Sequence, residues 1–180
     1  MARQGKIVAI TGASGYVGAK LLAQLEREPG LRKIVAFDVN PLRVPVHNIA
    51  FYRKNVSEPI DDELNDQDAT TVVHLAFNPK NGANRRETDA VREENMETLR
   101  SVMASCARTR VTHLIYLSSH AVYGSHSDNP IPISEDASMR PSPDDSSAHD
   151  KQQCEMVLQE FALAQDEIKI TTLRSCVVLG

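Results

Sequence analysis

The 180-residue chain has little of what marks several classes of protein. It has no basic tract longer than Arg85-Arg86 and a net charge of −4, so nucleic acid is not an expected partner. No apolar run approaches about 18 residues, so no membrane span is expected. The chain begins Met-Ala-Arg-Gln-Gly-Lys and goes straight into an apolar strand, without the long apolar core of a signal peptide. Cysteine is scarce. Cys106, Cys154 and Cys176 are odd in number and form no Cys-x-x-Cys pair, which excludes a disulfide framework and offers no metal-ligand set. Reduced thiols in a cytoplasmic protein are the expectation. There is no internal repeat and no low-complexity tract. Glycine is also scarce, yet Gly5, Gly12, Gly15 and Gly18 account for four of the 8.

What is present reads as one folded domain. A hydrophobic fraction of 41% against 24% charged residues is ordinary for a chain with a core and excludes a disordered one. Apolar runs at 6–10, 34–37, 49–53, 70–75, 111–117 and 168–173 read as strands. Helical patterns lie between them at 19–27, 61–65, 87–108 and 147–165. In the first helix Val17, Leu21, Leu22 and Leu25 recur on one face. Strands alternating with helices predict an α/β fold, a Rossmann-type doubly wound parallel sheet with helices on both faces and strand order 3-2-1-4-5-6. Residues 124–146 break the rhythm, with prolines 130, 132, 141 and 143 and many Ser and Asp. A segment of that length is either a lid or binding loop, or disordered.

The glycines carry the first chemical signal. In Thr11-Gly12-Ala13-Ser14-Gly15-Tyr16-Val17-Gly18 three glycines recur at spacing three between a strand and a helix. A Cβ there would collide with a ligand or force strain. The helix that follows aims its free N–H groups and positive dipole end at the same spot, which suits a dinucleotide pyrophosphate. Asp38 ends the second strand, where a carboxylate accepts from an adenosine ribose diol and repels a 2′-phosphate. That favours NAD over NADP. The plainer alternative is an acid capping the turn after the strand.

The chain resembles the extended short-chain dehydrogenase/reductase family, the NAD-dependent epimerase/dehydratase group. The stretch Thr11–Gly18 is similar to that family's TGxxGxxG. His74-Leu75-Ala76 matches its small-residue motif after the fourth strand, and Tyr116–Gly124 its SSxxVYG stretch. Arg174 lies at the LRP-type end of strand six. The resemblance implies NAD as cofactor. Gly12, Ser14, Gly15 and Gly18 would hold the pyrophosphate, with Tyr16 and Val17 against it. Asp38, Val39 and Asn40 would hold the adenosine ribose, and Asn55 and Val56 the adenine. Leu75, Ala76 and Phe77 would line the ribose path, with Phe77 bulkier than the family's usual residue. Leu117 and Lys151 would complete the cofactor site. Asn95 lies within the stripe of Val91, Leu99, Val102 and Cys106, so it is either a buried amide supporting the active site or a half-exposed residue at the stripe's edge.

The catalytic group departs from the family pattern of Ser or Thr, Tyr and Lys. In the family the Tyr is the acid/base, and its Lys lowers a phenol pKa that is otherwise near 10. Ser119 matches the serine and Lys151 the lysine, either functional or snorkelling from an apolar stripe. The tyrosine's position, four residues before the lysine, is Ser147. Three readings follow. The protein binds NAD and has lost hydride chemistry. Another group, His120, His149 or Tyr123, stands in, although His149 points about 200° away from Ser147 on a helix. Or the tyrosine was exchanged on purpose. A second departure is length: extended members run on well past the sixth strand, so the chain is expected to be a fragment or a minimal cofactor domain. The expected activity is an epimerase/dehydratase-type oxidoreductase or isomerase acting on a small-molecule substrate, typically a nucleotide-sugar, with a homodimer as the expected assembly. The alternative is a catalytically silent NAD(H) sensor or scaffold.

Overall fold

A computed structural model describes residues 5–79 and 84–178. Met1–Gln4, read above for a signal peptide, lie outside them. Six strands form one parallel sheet: β1 (Lys6–Thr11), β2 (Leu31–Asp38), β3 (Ile49–Arg53), β4 (Thr71–His74), β5 (His113–Ser119) and β6 (Lys169–Ser175). Their order is β3-β2-β1-β4-β5-β6, as expected from the alternation. β1 is the centre: Ala9 lies beside Val35 of β2 on one side and Val72 of β4 on the other. Five of its six residues are buried, which is why Ile7–Ile10 is continuously apolar rather than alternating.

Four α-helices are described: α1 (Tyr16–Leu25), α2 (Asp61–Asp66), α3 (Arg85–Ala107) and α4 (Ser146–Ala164). Side chains alternate across the sheet. Ile7, Ala9, Val35, Phe37, Val72, Leu114 and Tyr116 meet α2, α3 and α4 through Leu64, Leu99, Val102, Cys106, Cys154 and Leu158. Val8, Ile10, Ile34 and Ala36 meet α1, chiefly through the fully buried Leu22. Burying one such leucine stabilises by about 1.5–3 kcal/mol. Helices therefore cover both faces, but unequally.

One expectation is corrected and one pair of alternatives is narrowed. Gly18 is not part of the turn: α1 starts at Tyr16, so Gly18 lies in its first helical turn. The segment 124–145 is not disordered. Arg140 reaches Asp128 Oδ2 at 2.9 Å and Asn129 Oδ1 at 2.9 Å, Asn129 Nδ2 donates to the Gly124 carbonyl at 2.9 Å, and Pro141 is buried. Side-chain hydrogen bonds replace the periodic apolar contacts whose absence marked it in the sequence. At its foot the 3-10 turn His120–Tyr123 follows β5, and Gly124 takes φ 64° with Arg140's carbonyl where a Cβ would be.

Candidate active site

The glycine turn is tight for reasons internal to the fold. Gly12 has φ +69°, and a Cβ on it would lie 2.7 Å from the Ala76 amide nitrogen, so the turn presses on the chain leaving β4. A Cβ on Gly18 would strike the carbonyls of Gly12 and Ala13, the latter at 2.7 Å, so Gly18 lets α1 sit directly on the turn. Gly15 differs. Its φ is −66°, and an added Cβ would meet only the Gly12 carbonyl, at 3.2 Å, leaving open space in front. No side-chain hydrogen bond caps the start of α1. The spacing of the three glycines suggests one cause for all of them. Gly18's cause is packing, and Gly18, Tyr16 and Val17 do not line the cleft described next.

That cleft, of about 410 Å³, lies at the carboxyl ends of β1, β2, β3 and β4. This is the topological switch point, where the connections on either side of β1 run in opposite directions. Gly12, Ser14 and Gly15 form one wall, with Asp38, Val39 and Asn40 beside them. Asn55 and Val56 form the far end, and Leu75, Ala76, Phe77 and Asn95 the near one. Asp38 is a hub of the turn. Its Oδ2 accepts from Ser14 N at 2.9 Å and its Oδ1 from Asn40 N at 2.8 Å, while Ser14 Oγ donates to the Asn40 carbonyl at 2.8 Å. The turn-capping role is real, and each carboxylate oxygen has capacity for a further hydrogen bond. Asn55 Oδ1 accepts from Ser57 N at 3.1 Å, closing its own turn.

Asn95 resolves in favour of burial, at 5% exposed. Its Nδ2 donates to the Asn78 carbonyl at 2.9 Å and its Oδ1 accepts from Asn78 N at 2.7 Å. One amide thus clamps both polar groups of a backbone residue. Sequence reasoning missed Arg43, Lys54, Asn78, Glu94 and Thr98, which also line the cleft. Two signals point to some of them. Glu94 and Thr98 flank Asn95 on α3, and Lys54 follows β3 as Asp38's neighbour in register, since Asp38 pairs with Arg53.

The second corner lies around Lys151, which is 9% exposed. Its Nζ donates to the Leu117 carbonyl at 2.7 Å. It lies 3.7 Å from the Phe77 ring centre and 4.6 Å from that of Tyr116. Burial pushes its pKa down to about 8, against the opposing pull of Cys154 and Glu155. Below it, burial and the Lys151 charge push His74 down to about 3, so that imidazole is neutral. Thr11 Oγ1 lies within hydrogen-bond distance of His74 Nδ1, at 2.7 Å, and accepts from Ala76 N at 3.3 Å. Ser119 Oγ accepts from Ala121 N at 3.1 Å. Ser147 is the second residue of α4, one helical turn before Lys151. Asp145 caps that helix, accepting from Ala148 N at 2.9 Å.

Of the candidate stand-ins for a tyrosine, His120 and Tyr123 hydrogen-bond elsewhere and His149 lies off the Ser147 face. His120 is exposed and its Nδ1 faces the Ser175 carbonyl at 3.1 Å. Because α4 starts at Ser146, His149 keeps its place away from the Ser147 face. Tyr123 OH accepts from Arg174 Nη1. Arg174 belongs to a buried hub. Its Nη2 donates to Glu155 Oε2 at 2.7 Å and its Nη1 to the Glu135 carbonyl at 2.8 Å, and Ser118 Oγ donates to Glu155 Oε1. That pair joins α4, β6, β5 and the segment 124–145. Beside it, Arg92 Nε on α3 donates to the buried Asp150 at 2.6 Å, tying α3 to α4.

Strand order, the switch-point cleft and the uncapped helix define a Rossmann-type α/β domain. The chain belongs to the NAD dependent epimerase/dehydratase family, whose model matches residues 8–180. It is similar to the human Short-chain dehydrogenase/reductase family 42E member 1, 30% identical over 122 residues, 66% of this chain and 30% of that protein. It is also similar to the Escherichia coli O157:H7 N-acetyl-alpha-D-glucosaminyl-diphospho-ditrans,octacis-undecaprenol 4-epimerase, 28% identical over 179 residues, 96% of this chain and 49% of that protein. Among solved structures, MoeE5 in complex with UDP-glucose and NAD is 28% identical with a TM-score of 0.74, covering 94% of this chain and 54% of that one. The chain spans about half the length or less of the curated relatives it matches. None of the described helices is long and apolar enough to cross a membrane.

Proposed function

We propose that residues 1–180 form an NAD(H)-binding domain and that the protein is an NAD-dependent epimerase/dehydratase acting on a nucleotide-sugar or similar alcohol. The observation that carries the cofactor reading is the cleft itself: Gly15 leaves room that a Cβ would fill, α1 starts uncapped behind it, and Asp38 stands at its rim. Gly12, Ser14 and Gly15 would take the pyrophosphate, Asp38 with Val39 and Asn40 the adenosine ribose, and Asn55 and Val56 the adenine. Leu75, Ala76 and Phe77, with Asn95 behind Asn78, would form the path toward Lys151. MoeE5, whose structure holds UDP-glucose and NAD, supports the substrate class.

NAD supplies a hydride acceptor when bound. The chain's own residues do the rest: Ser119 would orient the reacting oxygen, and Lys151 would supply positive charge at the sugar-facing side. Ser147 cannot replace a phenol directly, since an aliphatic hydroxyl is a far weaker acid. The measurement is a fluorescence titration. NADH should bind more tightly than NADPH, and Asp38→Ala should weaken NADH by about tenfold or more, the worth of charge-assisted hydrogen bonds. Equal affinity for the two cofactors would refute the Asp38 assignment.

A second reading, a domain that binds NAD(H) without hydride transfer, is favoured by one observation. Ser147 stands one helical turn before Lys151, where the family resemblance expects the acid/base tyrosine, while Tyr123 and His120 hydrogen-bond elsewhere. In the full-length protein Ser147→Tyr should raise turnover by about 10²–10⁴-fold, the usual worth of general acid–base catalysis. An unchanged rate would favour the binding reading.

A further inference from the structure

We infer that Phe77 is a specificity-determining partition, so that in the resting cleft the adenosine diphosphate half of the dinucleotide carries nearly all of the binding. The inference rests on the NAD-binding reading and deepens it. Phe77 lines the cleft, while Lys151, Ser119 and Ser147 do not. The Phe77 ring is the nearer of the two aromatic faces on the Lys151 ammonium, 3.7 Å from its centre, with Tyr116 at 4.6 Å and the Leu117 carbonyl at 2.7 Å. The lysine's charge is thus already shared between a carbonyl and two rings, and the ring on the cleft side walls it off. A ligand ending at its second phosphate meets Gly12, Gly15 and Asp38 without touching the partition. A dinucleotide extending further has to displace the ring from the cation. Displacement loses a desolvated cation–π contact, and the phenyl group must find another rotamer.

The second nucleotide half therefore gains little net affinity in this chain, whereas a small residue at 77 would expose Lys151 to it. The remaining side chains at this corner are compatible with that division. His74 is neutral and lies behind Tyr116, and Asn95 spends both polar atoms on Asn78. Neither reaches across to replace the lysine.

Calorimetric titration of the chain with ADP and with NADH tests this. In the native chain the two dissociation constants should agree within about threefold. In Phe77→Ala the ratio of the ADP to the NADH constant should rise about tenfold, the size of a desolvated cation–π contact. Phe77→Leu, which keeps most of the apolar volume, serves if the alanine variant loses its circular dichroism signal, and should raise the ratio in the same direction. A second readout is amine labelling of Lys151 at pH 8, followed by mass spectrometry. Labelling should be slow in the native chain and faster in either variant, and NADH should protect Lys151 in the variants alone. NADH binding tenfold or more tightly than ADP in the native chain, with no change on substitution, would overturn the partition and leave the cofactor reading standing. Binding of neither ligand would overturn the cofactor reading itself.

Discussion

The two ends of the site are made of different material. At the glycine turn the contacts are main-chain ones: Ser14 and Asn40 amides on Asp38, Gly12 against Ala76, and an open helix start. Around Lys151 the groups are gathered from distant elements: the Phe77 and Tyr116 rings and the Leu117 carbonyl, with Glu155, one turn along α4, paired to Arg174. The first end needs only a few small residues and one acid, so its shape depends on few positions. The second needs many partners in register, so a single substitution there changes what the corner can do while the fold persists.

That contrast can be broken most forcefully at Arg174. Arg174→Met leaves the Glu155 carboxylate unpaired at 2% exposure, and loss of one partner of a buried pair costs about 3–5 kcal/mol. Urea denaturation should show that loss, and adding Glu155→Leu should recover part of it. A change below about 1 kcal/mol would mean that the hub contributes no more than an exposed pair.

A smaller effect is expected at Lys151. Its pKa falls from 10.5 to about 8 on folding. Below pH 8 it is charged in both states, and burying the charge is unfavourable. From pH 8 to 10.5 the unfolded chain holds the proton that the folded one has released, so native stability rises with pH across that window. Lys151→Met removes this dependence. The difference between variant and native stability should therefore shift by up to about 3 kcal/mol between pH 8 and 10.5. A flat difference across that range would show that Lys151 is solvated.

The smallest effect is at the main-chain end. Asn95→Ala leaves the Asn78 amide and carbonyl without their clamp, for about 1–3 kcal/mol. Faster hydrogen exchange at Asn78, with β1 amides unchanged, is the expected result. Loss of protection throughout the sheet would make Asn95 a determinant of the fold rather than of the cleft.

The readable parts of this protein are those governed by neighbours along the chain. The run Ile7–Ile10, the glycine spacing and Asp38 twenty residues beyond Gly18 announce a parallel sheet with a ligand turn, because backbone sterics and hydrophobic period act over a few residues. The helical period likewise places Ser147 one turn before Lys151, as the structure shows. Other features were out of reach. That Gly18 is needed by Ala13, that Asn95 holds Asn78, that Arg174 meets Glu155 and that Phe77 covers Lys151 all depend on how separate elements pack. Phe77 and Lys151 are far apart in sequence, on the segment after β4 and on α4. Their approach follows from where α4 settles on the sheet, which is a property of the whole core and not of either residue's surroundings in the chain.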